Sequence, residues 1–389
     1  MTKVILVLSF VSFFADISSE MLYPIMPVFL ASIGFGALGI GALEAMAKLI
    51  AGLGKSWFGS LSDQLDRRLP FVRIGYLLSA LAKPVMGLLP YASIVFAARS
   101  VDRVGKGMRG SARDAMLVAA SKPADRGKVF GFHRGMDTLG AVVGPILALI
   151  YLQYRPEDYA SIFIIAFAPG LVGVALTFTL PRETPVPTST GPIRPLKGIF
   201  AFWRKASPQY RRILLGILLF ALLNSTDMLL LLRAADAGLS PAEVIGAYIL
   251  YNLVYATLSL PFGILSDRIG FRTVYLISVL VFATCYLGMG LATAQWMIWG
   301  IFILYGVFTA ANEGTSKPWL SLHIPKETRA TGLGLAGFLD MVCLALASLL
   351  AGLGWEISSG SALFIGVGSL AFFAFFLLLF IFPTQPKTP

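Results

Sequence analysis

Charged residues, histidines and cysteines are scarce in this chain of 389 residues. Only 13% of the residues are charged, and two histidines and two cysteines are present. His133 and His323 lie too far apart for a local metal motif, whereas Cys285 and Cys343 fall inside apolar runs and are most simply packing residues. The chain also has no G-x-x-x-x-G-K-[ST], G-x-S-x-G or H-E-x-x-H motif. These absences disfavour an ATP-driven motor, an intramembrane hydrolase and a metalloenzyme, so we expect neither an enzyme nor a cofactor.

Apolar residues dominate what remains. Hydrophobic residues make up 57% of the chain and the mean hydropathy is +0.79, whereas soluble domains carry roughly 25% charged residues. Apolar segments of about 20 residues, long enough to cross a bilayer, recur from end to end. We therefore predict an all-α membrane protein with twelve transmembrane helices. The predicted segments are 4–30, 38–61, 70–91, 92–112, 126–152, 159–181, 211–235, 240–265, 273–293, 295–321, 328–354 and 361–383.

A polar stretch separates the first six segments from the last six. Prolines recur in it between Pro185 and Pro195, which is typical of a linker. Within it, the apolar residues 199–203 predict a short amphipathic helix at the membrane surface. The predicted organisation is an N-terminal six-helix bundle at 1–181, a cytoplasmic linker at 182–210 and a C-terminal six-helix bundle at 211–389.

Basic residues collect in alternate loops of the predicted topology, and the formal net charge is +11. By the positive-inside rule, this asymmetry predicts a multi-pass protein of the inner (cytoplasmic) membrane with both termini in the cytoplasm. A basic chain could also bind nucleic acid, but no basic, aromatic surface domain is present to grip phosphate. We therefore expect the lipid bilayer, and not nucleic acid, as the partner of this chain.

One loop sequence occurs twice. Gly59-Ser-Leu-Ser-Asp63-Gln-Leu-Asp-Arg-Arg68 and Gly263-Ile-Leu-Ser-Asp267-Arg-Ile-Gly-Phe-Arg272 each close one apolar segment and precede another. Such a sequence predicts a tight hairpin at a membrane face, whose glycine permits close helix packing. Its aspartate can pair with a neighbouring arginine or with the positive N-terminus of a helix. Further pairs at nearly the same offset, Arg126 with Arg329 and Asp137 with Asp340, indicate a duplicated chain.

Both copies resemble the G-x-L-x-D-R-x-G-R-R loop between the second and third helices in each half of major facilitator superfamily transporters. The first copy departs from that pattern at Gln64 and Asp66. The resemblance implies two pseudo-symmetric six-helix bundles, with a cavity lined by the first, fourth, seventh and tenth helices. It also implies that the two loops act as conformational latches. The latch residues are Gly59, Asp63, Arg67, Arg68, Gly263, Asp267, Arg268 and Arg272.

Ionisable residues inside predicted membrane segments are the main functional candidates, because each costs about 2.5–3.5 kcal/mol at the bilayer centre. In the fourth segment they recur at i, i+3, i+4 and i+7, so they form one stripe that faces protein or water. Arg103-Val-Gly-Lys106-Gly107 resembles the R-x-x-q-G element of proton-coupled members, which implies proton transfer at Arg103. A structural salt bridge is the alternative. The stripe consists of Arg99, Asp102, Arg103 and Lys106.

The fifth segment contains Gly140-Ala-Val-Val-Gly144-Pro145, which resembles the G-x-x-x-G-P antiporter motif of drug/proton exporters. The resemblance implies export and a hinge at Gly140, Gly144 and Pro145, although the closing glycines of that motif are absent. An ordinary close-packed helix pair is the alternative. Arg134 and Asp137 share one face of the same segment.

Other charges complete the candidate set. Asp16 with Glu20, and Glu44 with Lys48, are spaced four residues apart and so share a face, and the second pair could simply neutralise itself. Asp227 lies in the middle of the seventh segment. It could carry a proton, bind a cation, or make an ordinary hydrogen-bonded helix contact.

We predict a proton-coupled secondary transporter of small molecules that works by alternating access, with efflux by proton antiport, as a monomer. An anionic metabolite or siderophore is the alternative substrate, and a lipid scramblase or a non-transporting sensor is the alternative function. The predicted proton-coupling residues are Asp16, Glu20, Arg103, Asp137 and Asp227. The predicted cavity residues are Glu44, Lys48, Arg99, Asp102, Lys106, Arg134, Asn224, Tyr251, Asn252, Tyr255, Asn312 and Glu313.

Overall fold

A computed structural model describes residues 1–23, 25–26, 29–30, 33–34, 37–156, 158–181, 195–225 and 227–383. In these ranges the regular structure is helical, with α-helices joined by short turns and two 3₁₀ turns, Pro123–Asp125 and Lys326–Thr328. The α-helices are α1 (Lys3–Glu20), α2 (Ala37–Gln64), α3 (Leu69–Leu88), α4 (Ala92–Ala119), α5 (Arg126–Tyr154), α6 (Tyr159–Thr177), α7 (Pro195–Lys205), α8 (Pro208–Ala221), α9 (Asp227–Asp236), α10 (Pro241–Ile269), α11 (Phe271–Leu291), α12 (Gln295–Ser321), α13 (Arg329–Ile357) and α14 (Gly360–Ile381).

Seven stretches of the described helices are long and apolar enough to cross a membrane, judged by length and composition. α4 is not among them, because its many charged side chains lower its hydropathy. The predicted fourth segment ended at 112, whereas α4 continues to Ala119. The seven stretches are Leu69–Leu88, Pro123–Tyr154, Tyr159–Thr177, Gly246–Ile269, Phe271–Leu291, Lys326–Trp355 and Gly360–Ile381.

The chain forms two compact units, and each unit includes a short piece of the other half of the sequence. Unit 1 comprises 1–122, 136–205 and 324–338, and unit 2 comprises 123–135, 206–323 and 339–389. The first turns of α5 therefore belong to unit 2, and those of α13 belong to unit 1. The domain boundaries predicted from the sequence, at 181 and 210, remain a prediction.

Unit 1 has an apolar core between α1, α2, α3 and α6. The rings of Phe29 and Phe163 lie 4.5 Å apart within it, and Phe163 is fully buried. The helix α5 approaches α1 so closely that a side chain at Gly140 would meet the carbonyl oxygen of Phe13. One turn later, a side chain at Gly144 would meet the carbonyl oxygen of Ile17. The two glycines therefore permit close packing of α5 on α1.

Unit 2 has an aromatic core. The rings of Phe220, Phe282 and Phe308 pack edge to face or tilted, with centroid distances of 5.0 Å from Phe282 to each of the other two. Trp319 and Phe382 extend this core with a centroid distance of 4.8 Å. Aromatic pairs of this kind are worth about 0.5–1.5 kcal/mol beyond their buried area.

The linker helix α7 is amphipathic, as its sequence predicts. The ring of Phe202 is buried, with 5% exposure. It lies against Gly332, in the first turn of α13, where Ile324 also packs. Phe200 is 68% exposed on the opposite side of the helix. One face of α7 therefore docks on unit 1, and its contact with a membrane surface remains a prediction. The rest of the predicted linker, 182–194, lies outside the described residues.

Replacing Phe202 by alanine is expected to detach α7. A buried phenylalanine replaced by alanine typically costs about 3–5 kcal/mol, whereas an exposed one changes stability by about 0.5 kcal/mol or less. Trypsin should therefore cleave after Arg204 or Lys205 faster in Phe202→Ala than in the wild type, with digestion followed by mass spectrometry. The matched variant Phe200→Ala should digest like the wild type, and equal digestion of both variants would contradict the docking of α7.

Candidate functional site

In the first copy of the repeated loop, Asp63 binds the start of another helix. Its Oδ2 accepts hydrogen bonds from the backbone N of Thr331 at 2.6 Å and from the Thr331 hydroxyl at 2.9 Å. Its Oδ1 accepts a hydrogen bond from Arg68 at 3.0 Å. Asp63 therefore has both partners that the sequence left open, a loop arginine and a helix N-terminus.

The second copy repeats this arrangement inside unit 2. Asp267 accepts hydrogen bonds from the backbone N of Gly127 and of Lys128, both at 2.7 Å, in the first turn of α5. The N-terminal amides of a helix have no partner within the helix and carry a partial positive charge, so a carboxylate stabilises them. The glycine at the start of each loop permits the approach, because a side chain at Gly59 or Gly263 would meet a carbonyl oxygen of the bound helix.

The loop arginines divide into two groups. Arg68 binds Asp63, and Arg272 donates to the carbonyl oxygen of Leu379 at 2.7 Å. Arg67 and Arg268 are exposed. The structure thus gives hydrogen-bond partners to Asp63, Arg68, Asp267 and Arg272, whereas a latch function for any of these residues remains a prediction.

The stripe on α4 surrounds a buried acid in unit 1. The Asp102 Oδ2 lies 3.3 Å from Arg103 Nε and 3.8 Å from Arg99 Nη1. Lys83, on α3, is 3% exposed and interacts electrostatically with Asp102. Several cations therefore compensate one buried carboxylate. Such pairing stabilises a charge that is buried away from water.

The polar network continues along α4 toward α1 and α5. Arg109 donates to the Ser79 hydroxyl at 2.6 Å, and its guanidinium lies 4.3 Å from the centre of the Tyr76 ring. One turn further on, Arg113 donates to the Ser12 hydroxyl at 3.0 Å and pairs with Asp114 at 3.1 Å.

Ser12 joins this network to the predicted proton-coupling residues. Its hydroxyl donates a hydrogen bond to Asp137 on α5, while accepting the one from Arg113. Asp16, one turn after Ser12 on α1, interacts electrostatically with Asp137 and Lys106. The structure therefore brings together groups from α1, α4 and α5 that are far apart in sequence.

Part of this network reaches the molecular surface, although Asp102 and Asp114 are buried. Asp16, Glu20, Arg103 and Asp137 are partly exposed, and Lys106 is exposed. Glu20 interacts electrostatically with Lys106 and Arg103. A change in the protonation of either acid would alter the balance between neighbouring positive and negative charges.

Sequence analysis missed several members of the network. Lys83 lies near the middle of the third segment, whose other charged residue, Arg73, is close to the start, and it was not among the predicted site residues. Arg109 and Arg113 continue the i, i+3, i+4 spacing of the α4 stripe, so the signal was available, but the predicted stripe ended at Lys106. Ser12 and Ser79 carry no signal in the sequence at all.

A second polar cluster lies in unit 2 around Asp227, the first residue of α9. The Tyr305 hydroxyl donates to Asp227 Oδ1 at 2.7 Å, and the Tyr251 hydroxyl donates to Oδ2 at 3.4 Å. The rings of Tyr251 and Tyr305 are 5.1 Å apart, and the ring of Tyr255 stacks at 6.2 Å from that of Tyr251. Asp227 and two predicted cavity tyrosines are thus neighbours, and Tyr305 is a member that the sequence did not reveal.

The remaining predicted cavity residues have varied surroundings. Asn252 donates to the Tyr248 carbonyl at 3.0 Å, and Asn312 donates to the Ser278 hydroxyl at 3.4 Å. The first bond lies within one turn of α10, and the second joins α12 to α11. Asn224 follows the end of α8, and its Oδ1 is buried without a hydrogen-bond partner among the described residues.

Charged cavity candidates also differ from one another. Arg134 and Glu313 form an ion pair within unit 2, with side-chain exposures of 24% and 40%. Lys48 is exposed, whereas the side chain of Glu44 lies outside the described residues. In the part of the chain that the structure describes, no group of three or more His, Cys, Asp or Glu side chains is arranged to hold a metal ion.

Apolar helices, a duplicated loop and buried ion networks are typical of multi-pass membrane carriers. Comparison with known proteins identifies the family. The Major Facilitator Superfamily model matches residues 8–234 and again residues 213–389. The chain therefore belongs to this superfamily, whose members transport small molecules and are not enzymes. The predicted fold class, twelve transmembrane helices in two related six-helix bundles, is confirmed.

Individual relatives support the same assignment. The chain is 35% identical to the uncharacterized MFS-type transporter MJ1317 of Methanocaldococcus jannaschii, over 98% of this chain and 95% of the relative. It is 28% identical to the multidrug resistance protein MdtH of Cronobacter sakazakii, over 34% of this chain and 33% of that protein.

Solved structures share the fold at low sequence identity. The human organic anion transporter MFSD10 aligns with a TM-score of 0.80 at 18% identity, over 96% of this chain and 98% of that one. The fucose:proton symporter FucP of E. coli aligns with a TM-score of 0.79 at 10% identity, over 98% of both chains.

Neutralising either loop aspartate is expected to loosen the helix start that it binds. A hydrogen bond to a charged group contributes about 1.5–3 kcal/mol, so amides in the affected turn should exchange with deuterium about tenfold faster or more. In Asp267→Asn the faster exchange should be confined to peptides covering 126–130, and in Asp63→Asn to those covering 329–333, as measured by mass spectrometry.

Each of these variants serves as the control for the other, because both lose one charge at equivalent positions but bind different helix starts. Asp66→Asn, which removes a charge from the same loop, should leave both helix starts unchanged. Unaltered exchange at the bound helix in both aspartate variants would contradict the proposed contacts.

Proposed function

We propose that this protein is a proton-coupled exporter that moves small amphipathic molecules out of the cell by proton antiport and alternating access. It would act as a monomer in the inner (cytoplasmic) membrane, with both termini in the cytoplasm. The observation that carries the proposal is the network of unit 1, in which Asp137 receives a hydrogen bond from Ser12 that is itself bonded to Arg113. Charged networks of this kind inside a membrane protein mark proton or ion pathways.

Protonation changes the charge balance of this network. When Asp137 or Asp16 takes up a proton, the nearby Lys106 and Arg113 lose part of their compensation. A cation that loses a nearby counter-charge is less stable where it stands, so the helices that carry Lys106 and Arg113 favour a different arrangement. In this proposal, Asp63 and Asp267 hold one arrangement by binding helix starts, and the hinge at Gly140, Gly144 and Pro145 allows the change.

Export is favoured by two similarities. The fifth helix carries the G-x-x-x-G-P sequence that resembles drug/proton exporters, and the glycines do pack against α1. The MdtH proteins to which part of the chain is similar are multidrug resistance proteins. Neither similarity fixes the solute.

An anionic substrate is the second candidate, and one observation favours it. Lys83, Arg99 and Arg103 surround the single carboxylate of Asp102, so the local charge is positive. A negatively charged solute would complete the compensation of these cations. The structurally similar MFSD10 is an organic anion transporter.

Flux measurements in proteoliposomes test the proposal. With the membrane potential clamped at zero by valinomycin and equal potassium, an acidic lumen should drive accumulation of amphipathic solutes from a panel of cations, neutral compounds and anions. Collapse of the pH gradient with nigericin should abolish it. Accumulation that ignores the pH gradient would contradict proton coupling, and selective accumulation of anions would favour the second candidate.

The variant Asp137→Asn should lose gradient-driven accumulation, because it can no longer gain or release a proton. Its matched control is Asp158→Asn, which removes a charge at the start of α6. There the Tyr151 and Ser161 hydrogen bonds hold the pKa of Asp158 below its ordinary value, and asparagine caps a helix equally well. The control should therefore accumulate solute like the wild type, and full coupling in Asp137→Asn would remove Asp137 from the mechanism.

A further inference from the structure

The linker helix α7 packs on the loop that binds the start of α13. The backbone at Gly198 lies so close to α2 that a side chain there would collide with Ser60 and Gln64. Gln64 directly follows Asp63 in the chain, and its side chain donates to the Ser60 hydroxyl at 3.0 Å. α7 therefore rests on the part of α2 that presents the carboxylate of Asp63.

The same face of α7 also contacts the helix start that this carboxylate binds. Phe202 follows Gly198 by about one helical turn, so the two share a face, and its ring packs on Gly332. Gly332 is the neighbour of Thr331, whose backbone N donates to Asp63 at 2.6 Å. One short helix within unit 1 thus contacts both sides of a single hydrogen-bonded contact between α2 and α13.

The opposite face of α7 is aromatic and basic, and we call it the outer face. Phe200 and Trp203, three residues apart and therefore on one side of the helix, are 68% and 42% exposed. The eleven residues of α7 include no acid. Aromatic rings beside basic side chains are typical of helices that lie in the headgroup layer of a bilayer. The outer face consists of Lys197, Phe200, Trp203, Arg204 and Lys205, all exposed.

The docking of α7 places this face at the depth of the lipid headgroups. The membrane-crossing stretch Leu69–Leu88 begins shortly after Gln64, and the stretch Lys326–Trp355 begins shortly before Gly332. Because α7 packs on both Gln64 and Gly332, it lies where these helices enter the bilayer. The basic side chains have no acid on their own helix to compensate them, and an anionic phospholipid surface supplies that charge. The exposed rings suit the apolar edge of the same layer.

We propose that the outer face of α7 binds the anionic phospholipid surface of the bilayer and thereby holds α7 across the Asp63–Thr331 contact. The rings enter the edge of the hydrocarbon, and the basic side chains pair with lipid phosphates. A membrane rich in anionic lipid then strengthens the hold on the start of α13, and a neutral membrane weakens it. An effect on transport rests on the proposed function, whereas lipid binding and the hold on α13 do not.

Hydrogen–deuterium exchange of the full-length protein in nanodiscs tests the lipid dependence. Partial replacement of phosphatidylcholine by phosphatidylglycerol should slow exchange at 197–205 and 329–333 by about tenfold in the wild type, because several basic side chains gain lipid phosphates. The start of α5, at 126–130, is bound by Asp267 in the equivalent contact and serves as the internal reference. It reports the lower pH at an anionic surface, which slows exchange throughout the protein.

Two results of this measurement would overturn the proposal. Equal slowing at 126–130 and 329–333 would mean that the lipid acts through surface pH and not through α7. An absence of slowing at 197–205 would assign the outer face to another occupant, such as an acidic protein or a second copy of this chain.

Charge removal from α7 should weaken the response to lipid. Lys197→Gln combined with Lys205→Gln should reduce the slowing at 329–333 to about threefold or less. The matched control, Lys3→Gln combined with Lys122→Gln, removes two exposed lysines from other parts of unit 1 and should respond like the wild type. A full response in the α7 variant, or the same loss in both variants, would contradict recognition of lipid by α7.

Displacement of α7 tests its hold on α13 without any change of lipid. In phosphatidylcholine nanodiscs, Phe202→Ala should speed exchange at 329–333 by about threefold or more, whereas Phe200→Ala should match the wild type. Gly198→Val pushes α7 away from α2 and leaves the side chain that packs on Gly332 intact, so it separates loss of the hold from loss of a local contact. It should act like Phe202→Ala, and it gives the decision should Phe202→Ala fail to fold. Wild-type exchange at 329–333 in Gly198→Val would overturn the hold.

Exchange is measured without a solute or a proton gradient, so this proposal and the proposed function fail separately. Lipid-dependent exchange at 329–333 together with gradient-independent flux would reject proton coupling and retain the role of α7. Proton-driven flux together with lipid-independent exchange would do the reverse.

Discussion

Buried charge has to be compensated within the protein, because the bilayer core offers it no water. In unit 1 this requirement places Lys83 and Arg99 around Asp102, and it links Arg113 through Ser12 to Asp137. Removing one partner of such a pair costs far more than the pair contributes, so the members depend on one another. Under the proposed function, the same dependence would make the network respond to protonation, since a proton on one acid reduces the charge that compensates a neighbouring cation.

The polar groups at the starts of two helices also need partners within the protein. The first amides of a helix have no partner within it, and the starts of α5 and α13 receive a carboxylate from a loop that is distant in sequence. Each contact ties the start of a helix from one half of the sequence to the unit built mainly from the other half. This explains why 123–135 belong to unit 2 and 324–338 to unit 1. Duplication of the chain has therefore preserved a contact together with its sequence motif.

Repeated motifs and residues spaced at the helical period could be predicted from the sequence. Contacts between side chains of different segments could not. The two loops were found because their sequence repeats, and the α4 stripe was found because its spacing places its residues on one face of a helix. Asp66 looked like a departure from the loop pattern, but its φ is positive, at +46°, as is that of Gly270, at +92°, and aspartate tolerates a positive φ better than most residues. Lys83 and Tyr305 went unnoticed because their importance comes from contacts with Asp102 and Asp227, which no local pattern encodes.

The two clusters carry different chemistry, and this difference bears on how coupling can work. Unit 1 combines several acids with several bases, so proton uptake there redistributes charge among protein groups. Asp227 instead accepts hydrogen bonds from the hydroxyls of Tyr251 and Tyr305. If proton and solute shared one carboxylate, exchange would follow from competition for it. If they bind at separate sites, each must change the affinity for the other by the same factor. Coupling then requires a change of conformation. In unit 1 the glycine-rich contact between α5 and α1 is the element that could carry it, because Asp137 lies on α5 and its hydrogen-bond partner Ser12 lies on α1.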